Sequence, residues 1–252
     1  MTDDNKSLDI LGIKPIADSV NTVTKGTVDG ASAFLSRICL PAAEEFGLLL
    51  RDKVSAWRSN NAIAIAHKAQ KILEKQARGR LVSAHPRIIF STIENGSWAE
   101  NDLMQDFWAG LLASSCTPDG KDESNHILIG ILSQLTTSQA KLIKYVCETV
   151  KPYKSKAGWI GANKLYIEAN EIVRITGIND LHQLDRELDH LRSLELITGG
   201  FSPDTTEADV TPHALCLQLY VRSQGYVGSP VEYFGVTEQD YIDPIPASDI
   251  EY

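Results

Sequence analysis

The sequence predicts a mainly α protein: a helical bundle, followed by a small winged-helix-like α+β unit and an acidic tail. Three observations carry that reading. Apolar residues recur at three- and four-residue intervals over much of the 252-residue chain. No segment keeps the strict alternation of a large sheet. Late in the chain the order helix, tight turn, helix, extended flap replaces the bundle pattern. At 43% hydrophobic and 23% charged residues, the chain can bury one large core or two modest ones. The expected organisation is a flexible arm over 1–29, a bundle over 30–137, a winged-helix-like unit over 138–225 and an acidic tail over 226–252.

The elements follow in order. Residues 1–30 are polar, with Gly26 and Gly30 among β-branched neighbours, and read as a loose arm. Ser32 is placed to cap a short helix over Ala33–Leu40, and Pro41 then kinks it or opens a new one with Glu44 and Glu45 in its first turn. From Phe46 a helical period runs through Trp57, Ile63, Ala66, Ala69 and Leu73, which predicts one long helix to about Gln76. Two helices come next, one ending near Asn95-Gly96 and one opening at Asn101-Asp102, with Leu103, Phe107, Leu111 and Leu112 on one face. His126–Leu135 is apolar enough to be buried, and Ser138 begins a helix that turns Ala140, Ile143, Val146 and Cys147 inward.

The last third is the most specific. A helix is expected over Ala169–Thr176, a turn at Gly177-Ile178-Asn179, and a second helix over Asp180–Leu194 carrying leucines at 181, 184, 188, 191 and 194. Extended "LELITGGF", the acidic turn "SPDTTEAD" and "VTPHALCLQLYVRSQG" then complete a two-stranded flap. Such a unit invites DNA binding through its second helix. Here that helix holds Asp180, Asp185, Glu187, Asp189 and Glu195 against Arg186 and Arg192, and the flap adds Asp204, Glu207 and Asp209. Nucleic-acid affinity rests on cationic contacts, so binding of nucleic acid is not expected, and a transcriptional regulator is the second reading only.

Charge is unevenly spread within a net −9. Arg51, Lys53, Arg58, Lys68, Lys71, Lys75, Arg78 and Arg80 crowd one stretch with only Asp52 and Glu74 to oppose them, and they form the candidate interaction surface. Six acids and no Lys or Arg fill Gly228–Tyr252, which suits that segment to dock on the basic stretch.

Catalytic patterns are missing from the sequence. There is no GxSxG, no Gly-rich loop with a phosphate-binding Lys, and no HExxH. Cys39, Cys116, Cys147 and Cys216 lie far apart without a CxxC pair and read as buried thiols. His182 and His190 flank Asp185, Glu187 and Asp189, but a charged outer helix face explains them better than a metal site. Gly199-Gly200 reads as a turn into the flap rather than an anion nest. Trp98, Phe107 and Trp108 read as core. No catalytic residue, metal ligand or cofactor is therefore expected. An enzyme with a site assembled from scattered residues stays the third reading.

The first twenty residues show no apolar run of a secretory signal, so a cytoplasmic location is expected. The apolar stretch 31–58 has the length of a membrane span, but Arg37, Glu44 and Glu45 would each cost about 2.5–3.5 kcal/mol at mid-membrane, and Pro41 interrupts it. Packing in the bundle, with Phe34, Ile38, Phe46, Leu49 and Trp57 buried, is preferred to lying on a membrane surface.

The residues "GASAFLSRICLPAAEEFGLLLRDKVSAWRSNNAIAIAHKAQKIL", "HPRIIFSTIENGSWAENDLMQDFWAGLLASS" and "HILIGILSQLTTSQAKLIKYV" together resemble the Abi-alpha (abortive infection alpha) family of bacterial proteins. The resemblance runs over about Gly30 to Val150, and its most specific pieces are the PAAEE–G–LL–DKV–WR run and the "WAGLLA" helix. It implies a bacterial, mostly helical protein associated with defence against bacteriophage, and it supplies no catalytic residue. The expected role is a non-enzymatic one. Its partner would be a protein, either a second copy of the chain or a defence or phage component, with peripheral contact to the inner membrane as an added expectation.

Overall fold

The computed structural model describes residues 25–38, 56–76 and 81–237. The chain divides into two compact units, Met1–Thr137 with Arg222–Val227, and Ser138–Val221 with Gly228–Tyr252.

The first unit is helical: α1 (Lys25–Ile38), α2 (Ala56–Gln76), α3 (Pro86–Gly96), α4 (Asp102–Ser114) and α5 (His126–Leu132). The centre is α4, which packs on α2, α3 and α5. Its sequence explains the position. Phe107, Trp108, Leu111 and Leu112 are each at most 2% exposed, while Ala109, Gly110 and Ala113 keep its other side thin enough for neighbours to approach. The expected one-sided face through Leu103 is therefore wrong in kind, because α4 is buried nearly all round and Leu103 is only half-buried. Several buried amides inside this unit are paired, although the buried Asn60 Oδ1, Thr92 Oγ1 and His126 Nδ1 have no hydrogen-bond partner among the described residues. Gln105 donates to the Ala99 carbonyl at 2.9 Å, Asn61 to the Ser97 carbonyl at 2.9 Å, and Asn125 to Ser115 Oγ at 2.8 Å.

At the N-terminal side, α1 starts at Lys25, so Ser32 lies inside the helix instead of capping it, and the arm ends earlier than expected. Packing against α2 overrides the weak local preference: Phe34, Leu35 and Ile38 are each at most 3% exposed, and Gly30 lies opposite the His67 ring. The expected positions of Phe46 and Leu49, and the kink at Pro41, lie outside the described residues. From Ala56 onward the long helix is present and ends at Gln76, with Ile65, Ala66, Ala69 and Leu73 buried. No helix among the described residues is long and apolar enough to cross a membrane.

The second unit holds α6 (Thr137–Thr149) from Ser138 onward, β1 (Pro152–Lys154), β2 (Ile160–Ala162), β3 (Tyr166–Glu168), α7 (Ala169–Thr176), α8 (Leu181–Ser193), β4 (Glu207–Asp209), α9 (Ala214–Ser223) as far as Val221, and α10 (Pro230–Phe234). Helix α7 stops at Gly177, whose φ of 78° lets its N–H reach back to the Val173 carbonyl at 2.8 Å. Asp180 then caps α8 by accepting from the His182 N–H at 2.9 Å, and Leu184, Leu188 and Leu191 are fully buried. Leu181 faces solvent at 58%.

The flap differs from expectation in two ways. Strand β4 forms its regular antiparallel ladder with β3, which precedes the helix pair, while residues 197–201 join from the other side through the Ile197–Pro212 and Phe201–Ala208 bridges. From Ala214 the chain becomes helix α9, burying Cys216, Leu217, Leu219, Tyr220 and Val221, where the sequence reading continued the flap. The tail expected from 226 begins with helix α10, opened by a Ser229–Glu232 capping box. Residues 238–252 lie outside the described residues.

Asp209 ties the flap together. One carboxylate oxygen accepts from Lys164 Nζ and the other from the Thr211 N–H, both at 3.0 Å. Burial works to raise its pKa, but the Thr211 and Lys164 hydrogen bonds outweigh it and hold the group below the usual carboxylate range. A folded-state pKa below the unfolded one, about 3.9, means the stabilisation is complete above that value and is lost as the pH falls through the folded one. Asp209→Asn should thus cost about 1 kcal/mol at pH 7, with the difference from wild type vanishing in strong acid. Urea unfolding of both proteins at the two pH values checks this.

Candidate interaction surface

The eight basic residues do not form one surface among the described residues. Arg51, Lys53, Arg78 and Arg80 lie outside them. Arg58 is turned inward, with a side chain only 16% exposed. Its Nε donates to Ser97 Oγ at 2.8 Å, its terminal nitrogen reaches the Glu94 carbonyl at 3.1 Å and the Glu94 carboxylate at 2.9 Å, and its guanidinium lies 4.2 Å from the centre of the Trp98 ring. Lys68 bridges Asp102 and, at 2.6 Å, Asp106 on α4. Burial pulls the Lys68 pKa down, yet the two carboxylates overcome this and hold the ammonium above its ordinary value. Lys71 and Lys75 are exposed. The expectation of an exposed Arg58 is therefore corrected: Arg58 and Lys68 fasten α3 and α4, and Lys71 and Lys75 alone of the described four stay on the surface.

What the sequence did not single out is the site this fastening builds. The turn Ser97–Asn101 between α3 and α4 is held by Arg58 on one side and by the Asn101 cap of α4 on the other, where Asn101 Oδ1 accepts from the Leu103 N–H at 3.0 Å. Trp98 sits on that turn, 54% exposed, with the Trp57 ring 5.8 Å away and the Trp57 indole N–H donating to Glu100. Core burial was expected for Trp98; Phe107 and Trp108 are buried, but Trp98 is displayed. Trp57, expected on the buried side, is half-buried as its neighbour.

Beside Trp98 opens a cleft of about 600 Å³ whose apolar lining comes from Trp98, Met104, Trp108, Leu132 and Leu135. Three of the polar residues on its rim are engaged elsewhere: Asn101 caps α4, Glu100 takes the Trp57 N–H, and Asn95 donates to the Ser91 carbonyl at 2.7 Å. Chemically the cleft sets apolar area beside a comparable share of polar lining that includes the Glu100 carboxylate. That is suited to an apolar side chain of a protein partner.

A second cluster gathers His85 and His126, to which the sequence assigned no role. His85 caps α3 by accepting from the Arg87 N–H at 3.3 Å. Glu123 approaches both the His85 ring, at 3.5 Å, and Arg87, at 3.1 Å, while Arg87 also meets His126 Nε2 at 2.9 Å. The cluster pins the start of α3 to the start of α5. In the other unit His190 pairs with the Gln139 side chain at 2.9 Å, and His213 reaches the Glu195 carbonyl at 3.1 Å. Among the described residues no group of three His, Cys, Asp or Glu is placed to hold a metal. Gly199 lies where a Cβ would press within 2.9 Å of the Asp209 side chain, so its role is close strand approach. Cys116, Cys147 and Cys216 are buried free thiols, with Cys116 pushed up to about 12 by burial; Cys39 lies outside the described residues.

Comparison with known proteins adds one finding. A family model described as "Abortive infection alpha" matches residues 60–212. The match begins beyond the PAAEE–G–LL–DKV–WR run and extends past Val150 through α7, α8 and β4, so it takes in part of each unit. Neither a curated protein nor a solved structure matches the chain.

Proposed function

The chain belongs to the abortive infection alpha family, and from that premise we propose that it is a non-enzymatic component of bacterial anti-phage defence acting through protein–protein contact. Peripheral contact with the inner membrane is part of the same proposal. The family match carries the reading. The Trp98 cleft supports it, because the exposed Trp98 ring and the Met104, Leu132 and Leu135 side chains offer apolar contact beside a polar rim. The partner is a second copy of the chain or a defence or phage protein. Light scattering on the pure chain, and affinity capture of the tagged chain from infected and uninfected bacteria, test this. A homo-oligomer or a stoichiometric protein partner is expected, and a pure monomer that is captured alone in both conditions contradicts it.

A second reading has one observation in its favour: apart from the β1–β2 hairpin after α6, the order α6, β3, α7, α8, flap resembles that of winged helices, folds that often read DNA. Charge speaks against it. Asp180, Asp185, Asp189 and Glu195 are all exposed on or beside α8. The purified chain should therefore fail to bind duplex DNA tightly even in dilute salt, where Coulombic attraction is least screened. Sub-micromolar, salt-sensitive retardation in a gel would favour a transcriptional regulator instead.

A further inference from the structure

The hairpin of β1 and β2 has no part in either site above, and its tip is built in an unusual way. Lys156, Ala157, Gly158 and Trp159 are all exposed, and Trp159 is 76% exposed, more than Trp98 or Tyr166. The turn is firmly made. Ser155 donates its N–H to the Trp159 carbonyl at 2.8 Å, Gly158 donates to the Ser155 carbonyl at 2.8 Å, and Ser155 Oγ accepts from the Trp159 N–H at 3.1 Å. Gly158 takes φ 89°, which a side chain would strain. Below the tip the Tyr153 ring lies across Gly161, where a Cβ would come within 2.5 Å of the ring. A large indole is thus held out on an ordered turn that needs nothing from it.

Charge at the hairpin opposes that of the whole chain. From Lys151 to Ile167 there are Lys151, Lys154, Lys156 and Lys164 and no acid, in a protein of net −9. Lys164 is taken by Asp209 and Lys154 is half-buried with an interaction of its own, while Lys151 and Lys156 are exposed. An exposed Trp among lysines combines the two elements of peripheral lipid binding. Indole settles at the boundary of headgroups and acyl chains, and lysines near the surface are drawn to anionic headgroups.

We infer that this hairpin tip docks on anionic phospholipid membranes, with Trp159 entering the headgroup region and Lys151 and Lys156 lying over the phosphates. The inference rests on the membrane part of the proposed function and gives it a location other than the stretch 31–58, whose described apolar residues Phe34, Leu35 and Ile38 are buried. Single-stranded nucleic acid is the lesser match for the same charges, because such proteins stack successive bases on several aromatic rings. On this hairpin Tyr153 is laid on Gly161, and Trp159 alone stands at the tip.

Co-sedimentation of the full chain with phosphatidylglycerol–phosphatidylcholine vesicles, with pure phosphatidylcholine vesicles as control, tests the inference. Binding to the anionic vesicles alone, weakened by salt, is expected. Trp159→Ala and the pair Lys151→Glu with Lys156→Glu should each reduce it by about tenfold or more, with the Trp159→Ala melting temperature unchanged. Lipids brominated near the headgroup give a second readout on the intact fold: they should quench tryptophan emission of the wild type and not of Trp159→Phe. Absence of binding in dilute salt, wild-type binding by the variants, or tighter binding of a single-stranded oligonucleotide through the same residues overturns it. Vesicle binding involves no phage, so its failure leaves the defence reading untouched.

Discussion

Gly110→Ala is expected to destabilise the protein by about 3 kcal/mol, lowering the melting temperature by about 10 °C. Gly110 lies in the central helix α4, and a Cβ there would fall 1.8 Å from the Ser223 carbonyl oxygen and 2.2 Å from its carbon. Those atoms belong to backbone, which cannot swing aside as the end of a long side chain can. Relief requires moving α4 away from residues 222–227, and α4 is already packed on α2, α3 and α5. Gly130→Ala is the matched control. It lies in α5 with nothing within 4 Å of the new methyl, so it should stabilise by about 0.5–1 kcal/mol through the unfolded chain's lost freedom. Thermal unfolding of the two variants should give shifts of opposite sign.

Arg58→Ala should cost about 2 kcal/mol, from charge-assisted hydrogen bonds to Ser97 and the Glu94 carbonyl and from the stacked Trp98 ring. The Glu94 carboxylate adds less, because it is 47% exposed and water screens it. Arg58→Lys should recover little of the loss, since an ammonium cannot serve three acceptors in one plane while stacking on an indole. Both variants should also loosen the Ser97–Asn101 turn that shapes the cleft. Denaturant unfolding and the emission of the tryptophans at 57 and 98 measure the two effects.

These two residues mark where the sequence was readable and where it was not. The helix stripes through Ile65, Ala66 and Ala69, the Asn101 cap, and the Asp180 cap ahead of Leu184, Leu188 and Leu191 depend on contacts within a few residues, and periodicity reports such contacts directly. The start of α1 and the surroundings of α4 depend on partners far along the chain, to which local preference is blind. Arg58 shows the same limit at the candidate surface. Its charge was evident, but Ser97 and Trp98, about forty positions away, decide that it faces inward. The hairpin 152–162 was overlooked because strands of three residues leave too short an alternation to detect. One signal could have found it: four lysines and a tryptophan without an acid, in an acidic chain.

The most direct test of the defence role is phage plating efficiency on the bacterial host with the gene intact and with it deleted. A bacteriophage panel should include members that plate at least tenfold better on the deletion strain, with resistance restored by the wild-type gene supplied in trans. Equal plating of every phage on both strains, at confirmed expression of the protein, would contradict it.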